Sequence, residues 1–344
     1  LDQVALPVYL FSLLLLILIL IAGPKIGGAR RWLALGPFRL QPSELAKVAF
    51  ILVNANLLAR SAEEGRSLGA TVLSFGVMAA PMILVLREPD LGTSLVFLAV
   101  WVGMVFWYGI PGILLLGSGS ALLSAVIMLY SESQVTAWPW AIYILVLIGI
   151  LFFTNMNIPS KVVLLVINVG FGLGIPFFWG KLKPYQQERI LTFFDPSRDE
   201  FGTGYQAIQS KVAIGSGGLF GTHYLQGTQK GLAFLPERHT DFIFSVVGEE
   251  LGFVGAIALL GLFLLILLRG IDCAGSARRP FASFVAVGVV SYFTFHVVVN
   301  VSITTGLLPV TGLPLPMISY GGSNLLTSSI LLGLLLNVSS RTFD

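Results

Sequence analysis

The chain alternates long apolar runs with short polar segments, and this pattern is its strongest structural signal. A helix that spans a bilayer needs about 20 consecutive, mostly apolar residues. By that measure the sequence predicts about ten spans, centred near residues 13, 52, 78, 100, 121, 146, 171, 255, 290 and 330. One polar stretch, residues 181–240, is long enough to form a large loop. We therefore expect an all-α polytopic membrane protein with a single domain over residues 1–344.

Composition narrows the classes of function. Of the 344 residues, 56% are hydrophobic and only 11% are charged, and the mean hydropathy is +0.89, far from the averages of soluble domains. The single cysteine, Cys273, excludes an intramolecular disulfide framework, and it forms no zinc-ligand spacing with the three histidines. These features argue against redox and zinc chemistry. We expect contacts with membrane lipid and none with nucleic acid.

The most informative charges stand where an apolar run begins, in the stretch FLPERHTDFIF. It contains Glu237, Arg238, His239 and Asp241. An ionisable residue at bilayer depth costs about 2.5–3.5 kcal/mol on insertion scales and by default marks a functional site. Asp241 is therefore the first candidate for chemistry. If a helix begins at Thr240 or Asp241, its dipole favours the carboxylate, whereas desolvation would raise the pKa. His239, two residues away, is the alternative proton acceptor.

A second charged segment, residues 28–47, joins the first two predicted spans. Arg39, Glu44 and Lys47 are its candidates for binding an anion. Ser43 is placed to cap the helix that follows, and Glu44 and Lys47 then lie three residues apart on one helical face. The alternative is a capped helix with a local ion pair and no further role.

Three further segments complete the candidates. Residues 300–323 are rich in Pro and Gly and include Ser319 and Gly322; broken backbone at membrane depth is tolerated only where protein or a wet cavity surrounds it. The motif REPDLGTS, residues 87–94, is interpreted as mainly structural. Lys211 lies on the polar face of an amphipathic piece in the long loop, where a solvated interfacial helix is the alternative to a binding role.

Six motifs together resemble the SEDS family of cell-wall proteins, represented by RodA, FtsW and SpoVE. They occur in the family's order and cover most of the chain from residue 28 onward. The motifs are GARRW…FRLQPSELAK, REPDLGTS, PYQQERILTFFDP, GTGYQAIQSKVAIGSGG, FLPERHTDFIF and PLPMISYGGS. Arg238 within the fifth motif looks more like the RodA branch than the division branch.

The resemblance implies a peptidoglycan glycosyltransferase that polymerises lipid II, the undecaprenyl-pyrophosphate-linked disaccharide. Asp241 matches the family's essential acidic residue and is expected to act as the catalytic base. Arg39, Glu44 and Lys47 match a functional cluster of the family, and Arg39 and Lys47 would stabilise the departing pyrophosphate. The full set expected to contact substrate is Arg39, Glu44, Lys47, Lys211, Glu237, Arg238, His239, Ser319 and Gly322.

The resemblance also implies a location and a partner. The protein is expected in the bacterial cytoplasmic membrane, with the active site and the long loop on the extracytoplasmic face. The expected partner is a class B penicillin-binding protein, a transpeptidase that crosslinks the new strands. No cofactor is certain. A divalent metal, Mg²⁺ or Mn²⁺, that bridges Asp241 and the pyrophosphate stays open, because Mg²⁺ often binds one or two carboxylates together with substrate phosphates.

Two other classes of function remain as alternatives. A lipid II flippase would use Glu249, Glu250 and Lys47 as a proton-coupled relay through the broken C-terminal region, and it would make no glycan. A scaffold that only docks a partner would leave the charged segment around Arg39 and Lys47 unexplained.

Overall fold

The computed structural model describes residues 2–24, 30–35, 38–110, 112–133, 138–154, 156–181, 184–195, 199, 202–222 and 240–340. Within them the chain is almost entirely helical. The helices are α1 (Asp2–Ala22), α2 (Pro42–Glu63), α3 (Leu68–Arg87), α4 (Leu91–Tyr108), α5 (Gly112–Ser133), α6 (Trp138–Phe153), α7 (Ile158–Trp179), α8 (Pro184–Phe194), α9 (Thr203–Ser216), α10 (Ile243–Ser276), α11 (Pro280–Thr304) and α12 (Gly322–Ser340).

Eight helices in the described part of the chain are long and apolar enough to cross a membrane: α1, α2, α3, α4, α7, α10, α11 and α12. Two shorter apolar helices, at 119–131 and Trp138–Phe153, lie at the remaining predicted centres. The prediction of an all-α polytopic membrane protein is therefore confirmed. Helices α8 and α9 form part of the predicted long loop.

A small antiparallel hairpin was not predicted. Strands β1 (Leu33–Leu35) and β2 (Phe38–Leu40) pair with Leu33 opposite Leu40, inside the charged segment that precedes α2. The hairpin leads straight into α2, so it fixes how the chain enters the most buried of the eight candidate spans.

The chain divides into two compact units, and each has its own packing. One unit comprises Leu1–Tyr108 and Gln206–Asp344, and in it α11 packs against α2, α4 and α10. The other unit is Gly109–Tyr205. The prediction of one domain over residues 1–344 stays a prediction.

Within the second unit, a buried amide on α7 links three helices to one another. Asn168 donates from Nδ2 to Ser120 Oγ at 2.9 Å, and its Oδ1 accepts from Tyr143 OH at 2.8 Å. Its backbone carbonyl accepts from Ser124 Oγ at 2.8 Å. Because α5, α6 and α7 are mostly apolar, these bonds help to specify how the three helices align.

Helix α10 is broken at Gly252, whose φ of 65° and ψ of −166° lie in a region that only glycine occupies readily. The loop after α9 fills the break. Phe253 N donates to Gly218 O at 2.9 Å, and Thr222 N donates to Glu249 O at 3.0 Å. The 34 residues of α10 would span about 51 Å if straight; the break instead separates a short first part, residues 243–251, from the part long enough to span.

Between α11 and α12 the backbone is not helical over residues 305–321, as the density of Pro and Gly predicted. Leu313 and Leu315 of this segment are only 2% and 0% exposed. Leu307 and Tyr320 of the same segment are exposed, at 71% and 81%. Protein therefore surrounds only part of the broken backbone, and protein is one of the two environments in which such a segment is tolerated at membrane depth.

We predict that Gly252→Ala destabilises the protein. An added Cβ makes the existing φ of 65° unfavourable, and it would overlap the backbone at Leu219 and Gly221. Backbone strain of this kind costs on the order of 1–3 kcal/mol. The midpoint of thermal unfolding, Tm, in detergent measures the effect.

The matched control is Gly261→Ala in the same helix, where an added Cβ meets open space. Alanine is favoured over glycine inside a helix by roughly 0.5–1 kcal/mol, so this variant should keep or raise Tm. Equal Tm values for both variants would show that the break at Gly252 does not depend on glycine.

Candidate active site around Asp241

Asp241 lies in a turn just before α10. The helix begins at Ile243 with Phe242 at the N-cap position, which makes no side-chain capping bond. The prediction of a helix start at Thr240 or Asp241 is thus early by about two residues, because Ser245 N makes the first turn's bond to Phe242 O, at 3.1 Å. The side chain of Asp241 is half-buried, which leaves it accessible to a substrate.

The backbone of this turn is held by two side chains from elsewhere in the fold. Asn300 of α11 donates from Nδ2 to Asp241 O at 2.9 Å and to Leu313 O at 2.8 Å. Ser319 donates from Oγ to Thr240 O at 2.6 Å. The turn that carries Asp241 is therefore fixed to the broken segment between α11 and α12.

Gly312 lies beside the carboxylate of Asp241. A Cβ on this glycine would stand 3.5 Å from Asp241 Oδ2, and its φ of +76° favours glycine. The backbone of residues 311–315, which approaches the carboxylate closely at Gly312, is called the floor beneath Asp241.

Ser319 was predicted to contact substrate. Its hydroxyl donates to Thr240 O and also accepts from Leu315 N at 2.8 Å. One lone pair remains on the hydroxyl oxygen, so substrate binding by Ser319 stays a prediction, and the two bonds give it a definite role in supporting the turn.

Glu44 and Lys47 form the predicted ion pair, with 2.8 Å between Lys47 Nζ and Glu44 Oε1. Both side chains are nearly inaccessible, at 4% and 1% exposed. Lys47 Nζ also lies 5.2 Å from the ring centroid of Tyr292 in α11. The pair is part of the protein core, where each charge compensates the other.

The predicted cap at Ser43 is wrong. Gln41 occupies the N-cap position without a side-chain capping bond, and Pro42 takes the first helical turn, where its missing N–H is harmless. Ser43 is buried inside the helix. Proline's preference for the first turn decided the start of α2.

Asp241 and Lys47 contact different turns of α11. Tyr292, next to Lys47, precedes Asn300 by eight residues, or about 12 Å along the helix. Gly322, the first residue of α12, lies near the start of α2, where Gln41 N donates to Ser323 Oγ at 3.1 Å. Glu44 and Lys47 thus lie in the core of this unit, whereas Asp241 is half-buried and Gly322 is exposed.

Lys211 is exposed on α9, and the end of its side chain, Cε and Nζ, lies against Gly306 just after α11 ends. The neighbouring Ser210 donates to Thr304 O at 2.6 Å. A lysine at this position faces the negative end of the α11 dipole, which brings a cation to the last turn of α11, the helix whose Asn300 contacts Asp241.

The remaining predicted site residues differ in what the structure describes. Arg39 lies in β2, opposite Ala34 of β1. Glu237, Arg238 and His239 lie outside the described residues, so their roles stay predictions. Among the described residues, no group of three or more His, Cys, Asp or Glu side chains is arranged to hold a metal ion.

Sequence reasoning missed the polar face of α11. Tyr292, His296, Asn300 and Thr304 follow one another at intervals of four, and all four are buried. Such spacing places them on one side of a helix. The signal was visible as a periodic series of polar residues within an apolar span.

The motif REPDLGTS serves the structure around the site, as interpreted from sequence. Arg31 donates from Nε to Glu88 O at 3.0 Å and lies 3.8 Å from Asp90 Oδ2. Asp90 also accepts from Thr93 N at 3.1 Å at the start of α4. A Cβ on Gly92 would meet Thr311 O, so this turn packs against the floor of the site.

The fold and site define a polytopic all-α membrane protein that holds a carboxylate, Asp241, in the turn before the broken helix α10. A family model for FtsW, RodA and SpoVE, described as a cell cycle protein family, matches residues 1–141 and 137–343. The chain belongs to this family, and the predicted membership of the SEDS proteins is confirmed.

Relatives of both branches of the family match along nearly the whole chain. A probable peptidoglycan glycosyltransferase FtsW of Trichlorobacter lovleyi is 37% identical over 98% of this chain and 76% of its own length. The peptidoglycan glycosyltransferase RodA of Treponema pallidum is 35% identical over 96% and 81%. A solved structure described as structural coordination of polymerization and crosslinking by a peptidoglycan synthase complex has a TM-score of 0.67 and 36% identity, covering 100% of this chain and 82% of that one.

The shifted pKa of Glu88 makes the stability of the folded protein depend on pH. Burial, and then repulsion from Asp90, raises the pKa of Glu88 to about 8, although Arg31 opposes the shift. The unfolded chain ionises Glu88 above about pH 4.5, whereas the folded chain retains the proton. Native stability is therefore lost as pH rises from about 4.5 to about 8, by roughly 1.4 kcal/mol per unit of pKa difference.

We predict that Glu88→Gln raises Tm at pH 8 and has little effect near pH 4.5, because glutamine mimics the neutral carboxyl. Glu63→Gln, at an exposed position on α2, is the matched control and should not show this pH dependence. A Tm gain for Glu88→Gln that is independent of pH would contradict the raised pKa.

Proposed function

We propose that this protein is a peptidoglycan glycosyltransferase that polymerises lipid II, with Asp241 as the catalytic base. The observation that carries the proposal is the half-buried carboxylate of Asp241, held over Gly312 by a fixed turn, in a chain that belongs to a family whose relatives are named peptidoglycan glycosyltransferases. A base must be both accessible to a hydroxyl and held in place.

The reaction that fits this site is an inverting glycosyl transfer. Asp241 takes the proton from the 4-hydroxyl of the acceptor's GlcNAc, and the hydroxyl oxygen forms the new bond to the donor's anomeric carbon. The bond from that carbon to the pyrophosphate oxygen breaks on the opposite face. Undecaprenyl pyrophosphate leaves with the electron pair of the broken bond.

Cations near the site are proposed to stabilise the leaving pyrophosphate. Lys211 is exposed and adjacent to the end of α11, so it has access to an anionic group; Arg39 is proposed for the same role. Lys47 is buried against Glu44, which favours an indirect contribution, through the shape of the core, over direct contact with phosphate.

We propose that a divalent ion, Mg²⁺ or Mn²⁺, would bind only together with the substrate. Asp241 would supply one carboxylate, and the pyrophosphate would supply most of the remaining oxygen ligands. Such an ion would neutralise charge on the leaving group.

The proposed location is the bacterial cytoplasmic membrane, with Asp241 on the extracytoplasmic face. The proposed partner is a class B penicillin-binding protein that crosslinks the strands made here. The similar solved structure, described as a synthase complex that coordinates polymerization and crosslinking, supports this partner class.

The test compares wild type with Asp241→Asn in a lipid II polymerisation assay with the candidate transpeptidase present. Asparagine keeps the shape of the side chain and removes the base, so glycan product should fall below detection while Tm stays near that of wild type. Asp272→Asn, exposed near the far end of α10, is the matched control and should polymerise normally.

Glycan from Asp241→Asn at the wild-type rate would refute the role of Asp241. No polymer from wild type or variant, together with protein-dependent passage of lipid II across liposomes, would favour the flippase.

A second prediction concerns Lys47. Lys47→Ala leaves Glu44 buried without its partner, and breaking a buried pair costs about 3–5 kcal/mol, so both Tm and turnover should fall. The double variant Glu44→Gln with Lys47→Met removes both charges and should recover much of the Tm. If its turnover per folded molecule equals wild type, the charge of Lys47 is not needed for the reaction.

A further inference from the structure

The two carbonyl oxygens before α10 are each held by a different buried side chain. Thr240 O accepts from Ser319 Oγ, and Asp241 O accepts from Asn300 Nδ2. Asn300 and Ser319 are 0% and 6% exposed. Neither contact involves the carboxylate itself, so both act on the backbone that carries it.

The same two side chains also hold the floor of the site. Asn300 Nδ2 bonds Leu313 O, and Ser319 Oγ accepts from Leu315 N. Gly312, directly before Leu313, is the residue over which the carboxylate of Asp241 lies. The turn and the floor are therefore fixed relative to each other through shared hydrogen-bonding atoms.

The chemistry of Asn300 explains why an amide occupies this position. Both of its acceptors are carbonyl oxygens, so only the NH₂ group can face them. Its Oδ1 is buried and has no hydrogen-bond partner in the part of the chain that the structure describes. A buried polar atom of this kind is unfavourable, and an apolar side chain would avoid it but would leave both carbonyls without a donor.

We propose that Asn300 and Ser319 are positioning residues of the transfer reaction: they fix the turn at Thr240 and Asp241 to the floor at residues 311–315 and so set where the Asp241 carboxylate lies. The inference rests on the proposed function, in which that carboxylate is the base. A base displaced by about 1 Å can lose on the order of 100-fold in rate while substrate still binds.

The experiment measures kcat and KM for lipid II polymerisation by the full chain with its transpeptidase, per folded molecule. Asn300→Leu and Ser319→Ala should each lower kcat by about 10- to 100-fold with KM little changed. Ser319→Thr keeps the hydroxyl and should recover most of the kcat that Ser319→Ala loses.

The chain offers a matched pair of controls in Asn54 and Ser74. They are also buried, and Ser74 Oγ donates to Asn54 Oδ1 at 2.6 Å between α2 and α3. Asn54→Leu and Ser74→Ala should lower Tm and leave kcat per folded molecule unchanged. They report what the loss of a buried polar contact does when it is not attached to the Asp241 turn.

The outcomes separate the two proposals. If Asp241→Asn is inactive while Asn300→Leu and Ser319→Ala keep the wild-type kcat, the positioning role is overturned and the proposed function stands. If Asp241→Asn stays active, Asp241 is not the base and the positioning role fails with it, whereas a wild type that makes no polymer would overturn the proposed function itself. A loss of kcat in the Asn54 and Ser74 controls equal to that in the site variants would also overturn it.

Discussion

The structure of the site depends on one constraint. Where a helix is interrupted in a membrane protein, the backbone N–H and C=O groups must find hydrogen-bond partners within the protein. An unpaired N–H or C=O in a bilayer has no water to bond and costs several kcal/mol. This chain breaks its helices at Gly252 and over residues 305–321, and other parts of the protein supply the missing partners. The loop after α9 serves the first break, whereas Asn300 and Ser319 serve the turn beside the second. The reactive carboxylate thus lies where regular structure has to be replaced by specific hydrogen bonds.

Buried charge is handled in a different way from broken backbone. Glu44 and Lys47 pair within one turn of α2, the most buried of the candidate spans, so the cost of desolvation is offset locally. Asp241 is instead left half-buried. This contrast separates a charge that organises the core from a charge that can meet a substrate, although the sequence led us to expect substrate contacts from Glu44 and Lys47 as well.

The helices and the pairing of Glu44 with Lys47 were predictable because each follows from local pattern: apolar length in one case and i, i+3 spacing in the other. The location of the broken segment was also readable from Pro and Gly. What could not be predicted was which atoms meet across long separations. Asn300 is 59 residues from Asp241 and Ser319 is 79 from Thr240, and no periodicity in a single sequence specifies such a contact.

The position of Asp241 in the turn before the short first part of α10 follows from these constraints. In the most apolar stretch of α10 only 11% of the residues are buried, so this stretch offers few buried positions that could fix a catalytic group. The break at Gly252 transfers that task to residues 240–251, which are held by α9, α11 and the floor of the site through Ser210, Asn300 and Ser319. A carboxylate placed just before the break has both a rigid support and an open side for a hydroxyl.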